Sequence, residues 1–313
     1  MLTTIECAGH PRDMGFAQGA AMRRGIRAEA ERLGLPMRRS RIPTLRGLTI
    51  GSLRGVGAGR ELVRHFAHQA ERIEGVAEGA GLPLDTVLDL HLRMRAGGDE
   101  GGLLARRATL RARTVGGGED RKDALLERTL PRPQGDESGW LVRESRPAVG
   151  FRSIEITLPW LVTAVAGVNE GGLAVVGGPL LWSRPGRDGD PSSLLLVQEC
   201  LQRFEDLDGA IGWCTKRPVE GEESLVIADA TGAVATVSVS GQTRRVQSGE
   251  GELHLEAGEP PRSGAGSTPL REGLPPVASN DPNGDGMRVL LDAGARRLQV
   301  DAPGQAIERA LPA

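Results

Sequence analysis

The stretch FRSIEITLPWLVTAVAGVNEGGLAVV, Phe151–Val176, reads as three apolar strands separated by turn residues. The joins are only a few residues long. Neighbouring strands must then run antiparallel, because a parallel pair needs a crossover of about a dozen residues or more. The strands are apolar over several consecutive positions, as though covered on both faces. Asn169 stands where an apolar strand ends and a Glu-Gly-Gly turn begins the next one. A buried amide at such a strand end either donates to an oxyanion or caps the turn through its own side chain.

Outward from this segment the periodicity changes. DALLERTLP is a further strand upstream. Downstream, DPSSLLLVQECLQRFEDLDGAIGWCTKRP is helical and breaks in two near Asp206–Gly209. ESLVIADATGAVATVSVSGQTRRVQ predicts a hairpin around Ala-Thr-Gly. Residues 257–276, rich in Pro, Gly and Ser, predict a flexible loop, and GMRVLLDAGARRLQV a last helix. At the other end, LTTIECAG is a short strand and HPRDMGFAQGAAMRRGIRAEAERLG a helix, with Pro11 suited to its first turn. RELVRHFAHQAERIEGVAEGAGLP and LPLDTVLDLHLRMR are two more helices, the latter with Asp85 as a candidate N-cap. The order helices, strands, helices, strands, helix gives an α+β fold with mostly antiparallel pairing.

The 313 residues permit one large domain or two ordinary ones. With four Phe, four Trp and no Tyr, the core must be aliphatic. Net charge is −2, but the halves differ: residues 1–152 hold 26 basic and 19 acidic side chains, and the remainder 13 and 22. Met22–Arg60 is the most basic part, with ten Arg opposed only by Glu29 and Glu31. It reads as a solvated helix face or as a patch that steers acidic ligands. Cys7, Cys200 and Cys214 form no CxxC, which argues against a disulfide scaffold and suits a reducing compartment. Neither a signal peptide nor an apolar run of membrane-spanning length is visible, so a soluble, cytoplasmic protein is expected. His65 and His68 are spaced to share a metal, but no third ligand accompanies them and no HExxH exists. No GxSxG elbow is present. Cys200 and Cys214, with apolar neighbours, read as buried inert thiols.

Several stretches resemble, in order, the acyl-coenzyme A:6-aminopenicillanic-acid acyltransferase-like proteins. GHPRDMGFAQGA is similar to their N-terminal G-x-P-x-x-x-G-x-x-x-G motif, and RIEGVAEGAGLPLDTVLDLHL to their E-x-x-G-I-A-x-G-A-G helix and its successor. ALLERTLP sits where they carry R/Q-N-x-D. FRSIEITLPWLVTAVAGVNEGGLAVV resembles their strand pair with a G-x-N-x-x-G-L turn, LVIADATGAVATV their Asp-x-x-Gly hairpin, and ASNDPNGDGMRVLL their T-N-H…R segment. The resemblance implies an N-terminal nucleophile (Ntn) hydrolase, a four-layer αββα sandwich of antiparallel sheets. It implies one domain over residues 1–313: a helical, propeptide-like segment (1–100) and a core (101–313). It also implies self-cleavage before a cysteine nucleophile whose freed α-amine is the base, amide, acyl thioester or peptide-like substrates, and no cofactor or metal.

The departures fall in the catalytic centre. No cysteine occurs from Ala8 to Glu199. Aligned from the left, Gly101-Gly102 takes the nucleophile's place; aligned back from Arg128, Thr109 does. Thr129 and Pro131 stand for the family's Asn and Asp, and Asp281 for the His after Asn280. The expectation is a degenerate centre that still binds ligand, with Asn169, Arg128, Asn280 and Arg288 as the retained pocket. A rival reading is an active enzyme cleaved between Ala108 and Thr109, with Thr109 as nucleophile and Asn169 in the oxyanion hole. A third is a basic-patch protein for nucleic acid or membrane surface; the expected partner is a small molecule, with neither of those.

Overall fold

A computed structural model describes residues 2–38, 62–93, 109–116, 122–130, 139–177, 192, 194–219, 222–240, 243–249, 252–256 and 286–312. The described residues open with β1 (Thr3–Gly9), followed by the helices α1 (Pro11–Ala21), α2 (Arg23–Arg32), α3 (Ala67–Ala80) and α4 (Leu84–Arg93). Six strands follow: β2 (Thr109–Gly116), β3 (Lys122–Leu130), β4 (Leu141–Pro147), β5 (Ser153–Thr157), β6 (Ala166–Asn169) and β7 (Ala174–Gly177). Next come α5 (Leu195–Arg203) and α6 (Leu207–Lys216), then β8 (Glu222–Ala228), β9 (Val234–Ser240), β10 (Thr243–Gly249) and β11 (Glu252–Glu256). The chain closes with β12 (Met287–Asp292), β13 (Arg297–Ala302) and β14 (Gln305–Ala310).

The strands build two sheets, one in the order β1-β4-β5-β6-β7-β8-β9-β10 and one in the order β11-β2-β3-β12-β13-β14. Every described pairing is antiparallel except β1 with β4. That parallel pair is possible because the helices separate its strands in sequence. This is a mixed α+β fold with two antiparallel-rich sheets. The smaller sheet packs through β2, β3, β12 and β13 on one face of the larger, and α1, α5 and α6 pack on the other. Every residue of β5, β6 and β7 is therefore buried. Each fully buried Val, Leu or Ile there contributes about 1.5–3 kcal/mol. Along the smaller sheet burial alternates instead, and its outer positions carry the ion pairs Arg288–Glu127 and Arg297–Glu308.

The G-x-P-x-x-x-G-x-x-x-G motif has a packing cause. Helices α1 and α3 cross backbone to backbone. A Cβ on Gly15 would lie 2.0 Å from the Arg72 carbonyl oxygen, and one on Gly19 2.4 Å from that of Val76. A Cβ on Gly75 would lie 2.1 Å from the Arg12 carbonyl oxygen, and one on Gly79 2.3 Å from that of Phe16. The glycines of two expected helices thus form one crossing. The arginines of α2 serve its end: Arg23 donates to Gly79 O at 3.0 and 2.8 Å, and Arg27 to Gly81 O at 3.1 Å. Cations belong there, beside the unpaired carbonyls of a helix C-terminus.

Three expectations are corrected. HPRDMGFAQGAAMRRGIRAEAERLG forms two helices that meet at Met22 rather than one, and Asp85 lies within the first turn of α4 rather than at its N-cap. GMRVLLDAGARRLQV is not a helix but the β12–β13 hairpin. Met287, Val289 and Leu291 are buried in alternation, the signature of a strand, and Asp292 Oδ1 closes the turn by accepting from Ala295 N at 2.9 Å. Gly102, Asn280 and the 257–276 loop lie outside the described residues.

Candidate active site

The β6–β7 and β8–β9 turns are built alike. Gly172 N donates to Asn169 O and Gly232 N to Asp229 O, both at 3.1 Å, and the two glycines take φ of 88° and 87°. Each turn opens on a short polar side chain that reaches the α5–α6 corner. Asn169 Nδ2 donates to the carbonyls of Leu201 at 2.9 Å and Phe204 at 2.7 Å, while Leu173 N donates to Asn169 Oδ1 at 2.9 Å. Asp229 Oδ2 accepts from Leu207 N at 3.2 Å, and Oδ1 from Thr231 N at 2.9 Å and Oγ1 at 2.6 Å. The choice of residue follows from the helix ends. Carbonyls left over at the end of α5 need a donor, which an amide supplies; the N–H opening α6 needs an acceptor, which a carboxylate supplies. Both Asn169 amide hydrogens are occupied in this brace, the turn-capping arrangement rather than one with an N–H left for an oxyanion.

The other expected residues lie in different layers. Arg128 is buried between the sheets, beside Leu110 and Val289 in register, and its Nη1 donates to Val165 O at 3.4 Å and to Gly177 O. Arg288 is half-exposed on the opposite face of the same sheet, where Nε and Nη2 grip Glu127 at 2.8 and 3.2 Å. Asn169 reaches the helices on the far side of the larger sheet. Thr109 opens β2 opposite Glu256 of β11. Arg128, Asn169 and Arg288 therefore converge on no common point.

A larger polar cluster went unread in the sequence. It lies wholly buried between α1, α3, α5 and strands β1, β4 and β5. Arg143 is at its centre: Nε donates to Glu155 Oε2 at 2.7 Å, Nη1 to Gln18 Oε1 at 2.7 Å, and Nη2 to Val162 O and Gln198 Oε1, both at 2.9 Å. Glu155 accepts further from Ser145 at 3.1 Å, Ser153 at 2.6 Å and Gln198 Nε2 at 2.7 Å. Arg72 donates to Ser145 Oγ at 3.1 Å. Burial alone raises the Glu155 carboxyl. Arg143, Arg72 and the hydrogen bonds from Ser153 and Gln198 outweigh it and hold the group below the usual carboxylate range. Arg72 is lowered to about 10, first by burial and then by Arg143. The legible signal was charge inside apolar runs: Arg143 in LVRES, Glu155 in SIEIT.

The histidines and thiols are equally committed. His68 pairs with buried Glu199, which also accepts from Arg203 Nε at 2.9 Å. Among the described residues no three His, Cys, Asp or Glu side chains are grouped to hold a metal. His91 accepts from Val162 N at 3.2 Å and donates from Nδ1 to Val87 O at 2.7 Å; burial lowers it to about 4. All three cysteines are buried. Burial raises Cys7; a hydrogen bond with Cys214, then burial, raise Cys200 well above the usual thiol range.

No protein-family model matches the chain, and no curated protein matches it. Solved structures do. A mutant of the conjugated bile acid hydrolase from Clostridium perfringens is 10% identical, with a TM-score of 0.39 over 64% of this chain and 92% of that one. Penicillin V acylase from Agrobacterium tumefaciens is 13% identical, with a TM-score of 0.40 over 64% of this chain and 84% of that one. At these values the likeness assigns neither activity nor site residues to this chain.

Proposed function

We propose that this chain is an amidohydrolase-like protein of the Ntn type, of the acyltransferase-like branch its motifs resemble, in which cysteine catalysis has been lost. It keeps the role of binding a small amide, acyl thioester or peptide-like ligand in the cytoplasm. One observation carries the reading. A cysteine nucleophile acts as an exposed thiolate, whereas Cys7, Cys200 and Cys214 are all buried; burial raises Cys7, and the hydrogen bond with Cys214, then burial, raise Cys200 away from ionisation. No cysteine occurs between Ala8 and Glu199, where the resemblance calls for one. The engagement of Asn169 and Arg128 with main-chain carbonyls supports the same reading.

A self-processing threonine enzyme is the second reading, favoured by the position of Thr109 as the first residue of β2. Intact mass of the purified protein separates the two. A single chain near 33.1 kDa is expected; two fragments divided before Thr109 would overturn the proposal. The basic-patch reading is weakened by the arginines of α2, since Arg23 and Arg27 cap α3 and Arg32 pairs with Glu29. No described helix is long and apolar enough to cross a membrane.

A further inference from the structure

The two thiols at the α5–α6 corner have no part in the function proposed above. Cys200 lies on α5 and Cys214 on α6, both wholly buried, with their sulfurs 3.4 Å apart. A disulfide bond is about 2.05 Å long. The sulfurs therefore need to close by only about 1.4 Å. Each sulfur has the other as its hydrogen-bond partner, and the third cysteine, Cys7, sits apart in the Arg72–Arg143–Glu155 cluster.

We propose that Cys200 and Cys214 close into a disulfide when the chain folds in the presence of a small-molecule disulfide. The exchange balances in two steps. The thiolate of one cysteine attacks the small disulfide, forming a mixed disulfide and releasing one small thiol. The second cysteine, losing its proton, attacks the protein-side sulfur and releases the other. Two protons and two electrons leave the pair, and one small disulfide becomes two small thiols. Folding is the stage at which this occurs, because the finished corner excludes reagents and holds Cys200 protonated. The bond would tie α5 to α6 across the connection whose ends Asn169 and Asp229 brace.

The test uses the full chain, reduced and unfolded, then refolded in a glutathione buffer rich in the oxidised form. The soluble fraction is denatured and alkylated, and its free thiols are counted by mass. The count is expected to fall from three to one, with peptide mapping joining Cys200 to Cys214 and dithiothreitol restoring all three. The oxidised protein is expected to melt several degrees above the reduced one. Cys214→Ala, treated alike, is expected to show no internal bridge. Three alkylated thiols in the wild type, or a bridge that includes Cys7, overturn the inference.

Discussion

Replacing glycine by alanine within a helix ordinarily stabilises it by up to about 1 kcal/mol, since alanine is the better helix former. Gly75→Ala should do the reverse. The new methyl carbon would sit 2.1 Å from the Arg12 carbonyl oxygen and 2.7 Å from the Phe16 nitrogen. Both are main-chain atoms of α1, so no side chain can rotate away, and α1 and α3 must separate by about 1.3 Å or more to restore ordinary contact. Overpacking of this kind costs about 1–3 kcal/mol, and a clash with main chain belongs at the upper end. Less the propensity gain, the net loss is about 2 kcal/mol. Gly212→Ala is the matched control: the residue lies within α6, and a Cβ there would meet nothing within 4 Å. It should gain about 0.5–1 kcal/mol. Chemical unfolding of the two variants beside the wild type reads both signs. A Gly75→Ala protein as stable as the wild type, or more so, would refute the backbone-contact account of the crossing.

Glu155→Gln leaves Arg143 and Arg72 buried without their counter-charge and should cost about 3–5 kcal/mol in a urea titration at neutral pH. Because the folded Glu155 carboxyl lies below its ordinary value of 4.5, its stabilisation is present above that pH. It is lost as the pH falls through the folded value, so the variant's deficit should narrow as the solution is acidified below 4.5. His91 has the same sign by another route: lowered from 6.5 to about 4, its neutral ring favours the fold. Stability should fall by about 2 kcal/mol as the pH drops across that interval, allowing for the ring's partial exposure, and His91→Gln should flatten the slope. Asn169→Asp, nearly isosteric, points a carboxylate at the Leu201 and Phe204 carbonyls; we expect a loss of about 3 kcal/mol in unfolding free energy, with no rescue by salt.

The antiparallel sheet was legible in Phe151–Val176 because its turns are short and its strands carry no helical spacing. The amphipathic helices were legible from their period. The β12–β13 hairpin was misread because LLDAGARRL contains helix formers and a helix-length apolar run. The turn that divides it depends on Asp292 and on Arg296 at φ 51°, which composition does not announce. The glycine motifs were recognised as a pattern, but their meaning needs two segments about sixty residues apart brought into contact. The buried cluster was hidden for the same reason. Gln18 and Arg72 look like surface residues one at a time, and only the register of β4 on β5 and the seating of α1 and α3 show that they join Arg143 and Glu155 in one buried cluster.

The parallel pairing of β1 with β4 sets a timetable for synthesis. Residues 3–9 leave the ribosome well before the strand that receives them, which begins at Leu141. The Arg143 cluster is not complete until Gln198 on α5 has emerged. Until then Cys7, Gln18 and Arg72 belong to a nascent segment with no place to bury its polar groups. The α1–α3 crossing, which needs only residues up to about 80, can form early and hold that segment in shape while it waits for the remainder of the larger sheet.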